Sequence, residues 1–345
     1  MRLTVCVSAL ALGGLVASGC GGERPGASTA QSAPAAAPAP AASASVGSIE
    51  RLDPALDSLV APTAAIEKVA GGFKFTEGPL WRPDGTLWFS DVPGNVVRSV
   101  TPDGKVTVLI ENSGGGTDPA AAGFVGANGL VEAPDGSVWM VQHAARRIVR
   151  VGADRSLTPM VSDFEGKRFN SPNDLVFAKD GALYFTDPPY GLAKQDDDPA
   201  KELTFNGVYR FANGRVQALV RDLNRPNGLA FSPDFKVLYV NNSDAAKNLV
   251  MRYDVAADGT LANGRVLADL TSKVEGLADG LKVDAKGNIY TTGPAGVWVL
   301  SPEGKHLGTI KTPEIPANCG WGDDGKTLYM TATTGVYRIK TLVGR

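Results

Sequence analysis

Five polar side chains occupy the same position in successive copies of a sequence repeat, which we call one phase of the repeat. Together they supply the kinds of ligand that bind a hard cation. They are Glu77, Asn128, Asn173, Asn227 and Asp279, which lie eight positions before Gly85, Gly136, Gly181, Phe235 and Gly287. Carboxylate and amide oxygens are the ligands that Ca²⁺ and Mg²⁺ prefer, and two acidic residues balance the charge of one divalent ion. No cysteine or histidine occupies this phase, which argues against a structural zinc site. A single Asn-Gly pair is more often only a turn, so the prediction depends on all five occurring together.

The elements that must position these residues can be read from the repeat itself. A short apolar strand, a turn of the Pro-Asp-Gly type and an alternating strand recur six times, in copies that begin at Leu80, Leu130, Leu175, Leu229, Leu281 and Trp321. Six copies over residues 61–345 give about 47 residues each, close to the length of a propeller blade, roughly 40–50 residues. No segment has a sustained helical period. We therefore predict an all-β, six-bladed β-propeller with a central metal site over residues 61–345.

The propeller prediction also says where the repeated polar residues meet and how the fold closes. In a propeller the first strand of each blade lies along the central channel, so residues at one phase of the repeat converge at one channel mouth. The sixth copy has an extra residue and offers Asn318 or Cys319 at this phase. It ends near Leu342 without an outer strand. Residues 65–69, just before the first copy, can supply that strand and close the ring.

The first sixty residues differ in composition from the repeats. Residues 1–19 are predicted to be a signal peptide, because Arg2 is followed by an apolar run over residues 3–17 that is too short for an ordinary membrane span. The sequence Val16-Ala17-Ser18-Gly19-Cys20 resembles a bacterial lipobox, which predicts a lipid anchor on Cys20; the alternative is an ordinary secreted protein cleaved nearby. Residues 20–60, rich in Ala, Pro and Ser, are predicted to be a solvated tether.

Location and charge limit the classes of partner. The leader predicts an exported protein, held by its lipid at the cell envelope and facing the periplasm; because Gly21 is not the Asp of an inner-membrane retention signal, we expect the outer membrane. The formal net charge is −2, from 34 Lys+Arg and 36 Asp+Glu, which argues against nucleic-acid binding as the main function. The expected contact with a membrane is the anchor alone, and no oligomeric state is predicted.

Longer motifs surround the repeated polar residues in a fixed order along residues 65–341. They include Phe-Thr-Glu-Gly-Pro at 75–79, Arg-Phe-Asn-Ser-Pro-Asn-Asp at 168–174, Arg-Pro-Asn-Gly-Leu at 225–229 and Ala-Asp-Gly-Leu-Lys at 278–282. These motifs resemble the senescence marker protein/gluconolactonase/luciferin-regenerating-enzyme family of six-bladed propellers, and most closely its bacterial gluconolactonase branch. The resemblance covers essentially the whole predicted domain.

The resemblance implies roles for individual residues. One divalent cation would be held by Glu77, Asn173, Asn227 and Asp279, with Ca²⁺ favoured and Zn²⁺, Mn²⁺ or Mg²⁺ as alternatives. Asp279 would also be the general base, and Asn173 a substrate contact as well as a ligand. Asn128 and His143 are typical of this branch and would line the same pocket.

Four residues besides Asn128 are candidates for substrate contacts, and Arg168 and His143 each have a structural role as the alternative. Arg168 is expected to hold sugar hydroxyls or a carboxylate, or else to be a surface ion pair. His143 is either a hydrogen-bonded structural residue or a donor to the oxyanion and proton shuttle. Asp187 and Tyr190 follow the third unit's second strand and are predicted to form part of the entrance wall.

These assignments predict a divalent-metal-dependent hydrolase that opens a small-molecule sugar lactone. The metal would polarise the lactone carbonyl and acidify a water molecule, whose proton Asp279 would accept. Two alternatives remain open at this point. One keeps the metal but changes the substrate to another lactone or an organophosphate, and the other is a propeller that only binds a partner.

Overall fold

Six sheets of the computed structural model follow one another around a common axis. The structure describes Gly19 and residues 44–117, 123–323 and 325–345. The predicted signal peptide other than Gly19, the anchor Cys20 and the tether up to residue 43 therefore lie outside the described residues. In the described part, no helix is both apolar enough and long enough to cross a membrane. The helical elements that it contains are two short 3-10 helices, Pro54–Ser58 and Gln195–Asp197.

The first three blades are antiparallel four-stranded sheets, as the repeat predicts. Blade 1 consists of Thr76–Trp81, Leu87–Asp91, Val96–Val100 and Val106–Glu111. Blade 2 consists of Ala127–Glu132, Val138–Gln142, Arg147–Val151 and Leu157–Val161. A two-stranded hairpin, Asp163–Phe164 with Lys167–Arg168, leads to blade 3, whose strands are Leu175–Phe177, Leu183–Asp187, Asn206–Ala212 and Arg215–Leu223.

The last three blades repeat the arrangement with additions from the beginning of the domain. Blade 4 consists of Pro226–Phe231, Val237–Asp244, Lys247–Val255 and Leu261–Asp269. Blade 5 consists of Leu281–Val283, Ile289–Gly293, Gly296–Leu300 and His306–Lys311, with Ser48–Arg51 as a fifth strand. Blade 6 consists of Pro316–Gly322, Thr327–Ala332 and Gly335–Lys340, with Ile66–Gly71 as its outer strand.

The hairpin turns explain why each copy of the repeat folds into antiparallel strands. Gly85, Gly136, Gly181 and Gly287 have φ between 78° and 87°, a region that favours glycine over residues with a side chain. In the first of these turns the carboxylate of Asp84 accepts the Thr86 N–H at 3.0 Å, so the Asp stabilises the turn that the Gly permits. Apolar side chains between adjacent blades form the core, as where Trp88 of blade 1 packs with Leu130 and Met140 of blade 2.

The ring closes as predicted. Ile66–Gly71 pairs antiparallel with Gly335–Lys340, so the first strand of the ring is the outer strand of the last blade. Ile66 lies opposite Ile339, and the Glu67 carboxylate pairs with the Arg338 guanidinium at 2.7 Å. The six inner strands contact one another all the way round the axis. This continuous contact brings residues at one phase of the repeat together.

The predicted boundary between tether and domain, at residues 60 and 61, lies too late in the chain. Ser48–Arg51 pairs with His306–Lys311 at the edge of blade 5. Leu56, Leu59 and Val60 are buried in the core cluster that blades 5 and 6 share. The prediction failed because the Ala/Pro/Ser composition was extended past residue 44, where large apolar side chains begin again.

Candidate metal and substrate site

Six polar residues, one from each blade, meet at the axis and are called the polar ring here. They are Glu77, Asn128, Asn173, Asn227, Asp279 and Asn318. The Asn128 amide donates to Oδ1 of Asn173 at 2.7 Å, and the Asn173 amide donates to Oδ1 of Asn227 at 2.5 Å. The Asn318 amide donates to Oε2 of Glu77 at 2.9 Å. The sixth blade therefore contributes Asn318, whereas Cys319 is buried in the apolar core.

A glycine follows four of the six residues because there is no room for a side chain beside the axis. A Cβ on Gly228 would lie 2.3 Å from the Asp279 carbonyl oxygen, and one on Gly78 would lie 2.1 Å from that of Asn128. The backbone N–H groups of these glycines also form hydrogen bonds between blades. Gly228 donates to the Asp279 carbonyl at 2.9 Å, and Gly129 donates to the Asn173 carbonyl at 2.9 Å. Each Asn-Gly or Asp-Gly pair thus joins adjacent blades and is not only a turn.

Burial and neighbouring carboxylates disfavour the charged forms of the two acidic members of the ring. Burial raises the pKa of Glu77 to about 7, although hydrogen bonds from Asn318 and Gly78 oppose this. Burial and the nearby carboxylates of Glu77 and Asp174 raise the pKa of Asp279 well above its ordinary value. The Oδ1 atom of Asp279 is shielded from solvent and has no hydrogen-bond partner. A cation between these carboxylates would remove the repulsion and supply the missing partner.

The donor set fits a hard divalent cation. Two carboxylates and four carboxamides surround the axis, and each amide oxygen that accepts a hydrogen bond retains a second lone pair for an ion. Among the described residues, no three His, Cys, Asp or Glu side chains are grouped closely enough to bind a metal by themselves. The amide oxygens are thus essential to any site here, which matches calcium or magnesium better than zinc.

A buried acid and a lysine lie next to the polar ring and were not found by sequence reasoning. Asp174 replaces the glycine that follows the ring residue in four other blades, and its Oδ2 has no hydrogen-bond partner. Burial raises the pKa of Asp174, while the Lys282 ammonium opposes the rise. Lys282 also favours the charged form of Glu77. The sequence did contain a signal for Asp174, because an aspartate and not a glycine follows Asn173.

His143 belongs to the site, but its chemistry differs from the predicted donor role. Its backbone N–H bonds to the Gly126 carbonyl, two residues before Asn128, and its side chain is fully buried. The Nδ1 atom lies 3.0 Å from the Phe124 carbonyl oxygen; a carbonyl can only accept, so the proton is on Nδ1. Burial lowers the pKa of His143 to about 4, so the imidazole is neutral and Nε2 is an acceptor. The ring also adjoins the Asn173 side chain, whose hydrogen bond opposes this lowering of the pKa.

Tyr190 lies beside the polar ring, and its place in an entrance wall stays a prediction. Burial and the nearby Asp279 carboxylate raise the pKa of the Tyr190 phenol, and the side chains of Asn227 and Ser243 hydrogen-bond to it. Ser243 also lines a cavity of about 640 Å³ formed by residues of blades 3 and 4. The phenol therefore contacts Asn227 of the polar ring and Ser243 of the cavity wall.

Asp187 does not line the entrance, which corrects the prediction of a substrate contact. Its carboxylate is fully buried and accepts the backbone N–H groups of Asn170 and Ser171, both at 2.8 Å. Burial raises the pKa of Asp187 to about 7, against these two hydrogen bonds. The residue fixes the loop that leads to Asn173, so it positions a ring residue and does not meet the substrate.

Asp187 is one case of a second repeated position. Asp91 and Asp187 lie 14 residues after the ring residues Glu77 and Asn173, and both end the second strand of their blade. The Asp91 carboxylate accepts the N–H groups of Lys74 and Phe75 at 3.1 and 3.2 Å, which is the same role in blade 1. This 14-residue spacing was visible in the sequence and would have indicated the structural role.

Arg168 remains exposed and does not contact the polar ring. Its guanidinium donates to the Ala145 carbonyl at 3.4 Å. The buried arginine of this region is Arg146, which donates to the Phe169 carbonyl at 2.6 Å and to the Ala200 carbonyl at 2.8 Å. The alternative predicted for Arg168 was a surface ion pair; the residue is exposed, but the guanidinium contact described here is with a carbonyl oxygen. Arg146 was missed because one arginine in a run of two gives no signal of burial.

Comparison with known proteins identifies the family. The region described as SMP-30/Gluconolactonase/LRE-like matches residues 75–334, which contain the whole polar ring. The chain belongs to this family. Gluconolactonase from Zymomonas mobilis is 38% identical over 309 residues, covering 86% of each chain.

Solved structures of the SMP-30/gluconolactonase/LRE-like family agree with the fold. A gluconolactonase from Xanthomonas campestris superposes with a TM-score of 0.74 at 31% identity, covering 85% of this chain and 94% of the other. Regucalcin from Agrobacterium tumefaciens, described as a calcium-binding protein, has a TM-score of 0.61 at 18% identity, covering 80% and 96%. At that identity the likeness concerns the fold alone.

Proposed function

We propose that this chain is a divalent-cation-dependent hydrolase that opens sugar lactones. One observation carries the proposal: two carboxylates, Glu77 and Asp279, meet among four carboxamides at the channel axis, where burial raises the pKa of both and Glu77 raises that of Asp279 further. The gluconolactonases to which the chain is similar support the reaction class. A propeller that only binds a partner has no need of two repelling carboxylates at its axis.

The cation would be held by Glu77, Asn173, Asn227 and Asp279. Calcium is the ion that we favour, since all these donors are oxygens. When bound, the ion supplies Lewis acidity that polarises the lactone carbonyl and acidifies water. The chain itself contributes the rigid frame, because the hydrogen bonds between Asn128, Asn173 and Asn227 hold the amides in order.

Asp279 is the proton acceptor in this proposal. Its Oδ1 has no hydrogen-bond partner and its pKa is raised, so the carboxylate is more basic than an ordinary aspartate. The attacking water loses a proton to this oxygen as its own oxygen bonds to the lactone carbonyl carbon. The ring C–O bond then breaks, and the proton held by Asp279 passes to the leaving ring oxygen, which gives a hydroxy acid and restores the carboxylate. The Tyr190 phenol lies near Asp279, and the side chains of Asn227 and Ser243 hydrogen-bond to it.

The experiment is a lactone panel assayed after chelation, with Ca²⁺, Mg²⁺, Mn²⁺ or Zn²⁺ restored singly. We expect hydrolysis of glucono-δ-lactone to disappear on chelation and to return with Ca²⁺. A chelated preparation that turns over lactone at the original rate would overturn the cation dependence. No hydrolysis of any lactone with any ion, together with capture of a stable protein partner, would favour the binding propeller. Hydrolysis of an organophosphate but of no lactone would favour the other alternative.

We also propose that the mature protein is exported and anchored by a lipid on Cys20, in the outer membrane and facing the periplasm. The support is the apolar run over residues 3–17 and the lipobox-like sequence that ends at Cys20. Metabolic labelling with palmitate should mark the wild-type protein and not Cys20→Ser. If both chains fractionate identically and neither is labelled, the anchor proposal is wrong.

A further inference from the structure

Two charged side chains break the repeat next to the polar ring. The position directly after the ring residue carries a charge in one blade alone, as Asp174 of blade 3; four blades have glycine there and blade 6 has Cys319. The position three residues after the ring residue carries a charge in blade 5 alone, as Lys282. The other five blades have apolar residues at that position, namely Leu80, Val131, Val176, Ala230 and Trp321. Neither charged residue is among the proposed cation ligands, so both charges require an explanation of their own.

The Asp174 carboxylate lies near the axis, between the inner strands of blades 2 and 4. Its Oδ1 accepts the Leu175 N–H at 2.8 Å, and a Cβ on Gly129 of blade 2 would lie 2.9 Å from the same oxygen. Burial raises the pKa of Asp174, and the Leu229 N–H of blade 4 is among the groups that oppose the rise. Oδ2 is shielded from solvent and has no hydrogen-bond partner. A third buried carboxylate therefore adjoins the two of the polar ring.

The Lys282 ammonium also lies near the axis. Its Nζ donates to the Leu281 carbonyl at 2.9 Å, so the side chain stays beside the inner strand of blade 5. Burial raises the pKa of Glu77 in blade 1 and of Asp174 in blade 3, and the Lys282 ammonium opposes the rise in both. Blades 1 and 3 are each two blades away from blade 5, on opposite sides. A charge that reaches both from blade 5 is therefore close to the centre of the ring.

The charges at the centre match one divalent ion. With a cation bound, the ionised carboxylates of Glu77, Asp174 and Asp279 carry three negative charges, and the Lys282 ammonium carries one positive charge. Two negative charges are left, which is what one divalent cation neutralises. If the ammonium were absent, the same three carboxylates would match a trivalent cation instead. The difference matters because an uncompensated charge is costly where burial excludes water.

We propose that Lys282 is a fixed counter-charge of the polar ring, and that it makes the site select divalent over trivalent cations. The proposal rests on the cation site of the function proposed above and adds a residue that determines which ion the site takes. Lys282 acts through its charge and needs no contact with the ion or the substrate. Asp174 is the second part of the arrangement, because it supplies the negative charge that Lys282 balances.

Calorimetric titration of the chelated protein with Ca²⁺ and, separately, with Tb³⁺ tests the role of Lys282. The two ions are similar in size, prefer oxygen ligands and differ by one charge. Lys282→Met removes the ammonium and keeps the aliphatic part of the side chain. We expect the affinity for Tb³⁺ relative to Ca²⁺ to rise about tenfold or more over wild type in this variant, and to stay as in wild type in Lys282→Arg. The matched control is Lys236→Met, which removes a positive charge whose side chain is 80% exposed and should leave the ratio as it is.

Asp174 provides a test in the opposite direction. Asp174→Asn removes one negative charge, so the affinity for Tb³⁺ relative to Ca²⁺ should fall about tenfold, and the double variant with Lys282→Met should return toward the wild-type ratio. If Lys282→Met alone does not fold, the double variant compared with Asp174→Asn measures the same effect of the ammonium.

Two further outcomes separate this proposal from the one on which it rests. An unchanged ratio in Lys282→Met and in Asp174→Asn, with or without a lower Tm, would overturn the proposal and leave both residues a structural role. A wild-type protein that binds neither Ca²⁺ nor Tb³⁺ would instead contradict the cation site of the proposed function.

Discussion

Asn318 donates its side-chain N–H to Oε2 of Glu77 at 2.9 Å, although 241 residues separate them in the chain. The bond joins the last blade to the first at the axis, on the inner side of the main-chain closure between Ile66–Gly71 and Gly335–Lys340. The ring is thus closed twice, by a strand at the outside and by this side-chain pair at the centre. The same bond orients the Glu77 carboxylate toward the proposed cation site.

The raised pKa of Glu77 predicts how the cation-free protein responds to pH. Its folded pKa of about 7 exceeds its ordinary value of 4.5, so its contribution to stability is fully present below pH 4.5 and is lost as pH rises through about 7. We expect the free energy of unfolding of the chelated protein to fall over this interval by on the order of 3 kcal/mol relative to Glu77→Gln. Urea unfolding of both proteins from pH 4 to pH 8 measures the difference. If the free energy of unfolding changed equally with pH in the two proteins, the raised pKa would not belong to Glu77.

Adding a cation should reverse that loss. An ion that binds only the folded protein stabilises it by about 2.7 kcal/mol at a concentration 100 times its dissociation constant. We expect Ca²⁺ to raise the Tm of the chelated protein at pH 8, which lies above the Glu77 pKa of about 7. Sodium chloride at equal ionic strength is the control. A Tm that rises equally with both salts would show that screening, and not a site, is responsible.

Asp279→Asn tests the proton-acceptor role. The substitution keeps an oxygen at the ring but removes the base, so we expect kcat to fall by about 10²–10⁴-fold. Cation affinity, measured by calorimetry, distinguishes loss of the base from loss of the ion. A variant that binds Ca²⁺ and keeps full turnover would show that another group accepts the proton.

Asp187→Ala should lower the free energy of unfolding more than it weakens substrate binding. It leaves the N–H groups of Asn170 and Ser171 buried without acceptors, at a cost of about 1–3 kcal/mol each. Asp197→Ala is the matched control, because Asp197 is exposed and should change the unfolding free energy by less than about 0.5 kcal/mol. If Asp187→Ala keeps its stability and raises only KM, the residue contacts the substrate as the sequence predicted.

The segment before the first blade should be part of the folded domain. Removal of residues 1–43 is expected to leave the Tm unchanged, whereas removal of residues 1–60 also takes away the buried side chains of Leu56, Leu59 and Val60. Loss of those three side chains should lower the free energy of unfolding by about 5–9 kcal/mol. Differential scanning calorimetry of the two truncated chains makes the comparison. Equal Tm values would mean that the strand Ser48–Arg51 adds nothing to blade 5.

The sequence was informative wherever a repeat fixed the geometry. The Pro-Asp-Gly turns and the phase of Glu77, Asn173 and Asp279 predicted the blades and the ring, because one phase of a propeller repeat has one place in space. Residues away from the position of the polar ring were harder to interpret. Arg168 and Asp187 each end a strand and contact loops whose path depends on distant segments, so residue type alone could not tell a substrate contact from a loop anchor.

The closure between Ile66–Gly71 and Gly335–Lys340 also sets the order in which this protein can fold. Its first strand is synthesised early and its partner at the very end, so the pairing has nearly the greatest sequence separation that the domain allows. Contacts of this kind form slowly, and until they form the sixth blade has an open edge that invites aggregation. The export proposed above would have to move the chain before its last strand is available for this pairing. Trimming the C-terminus by one strand would leave a ring that cannot close.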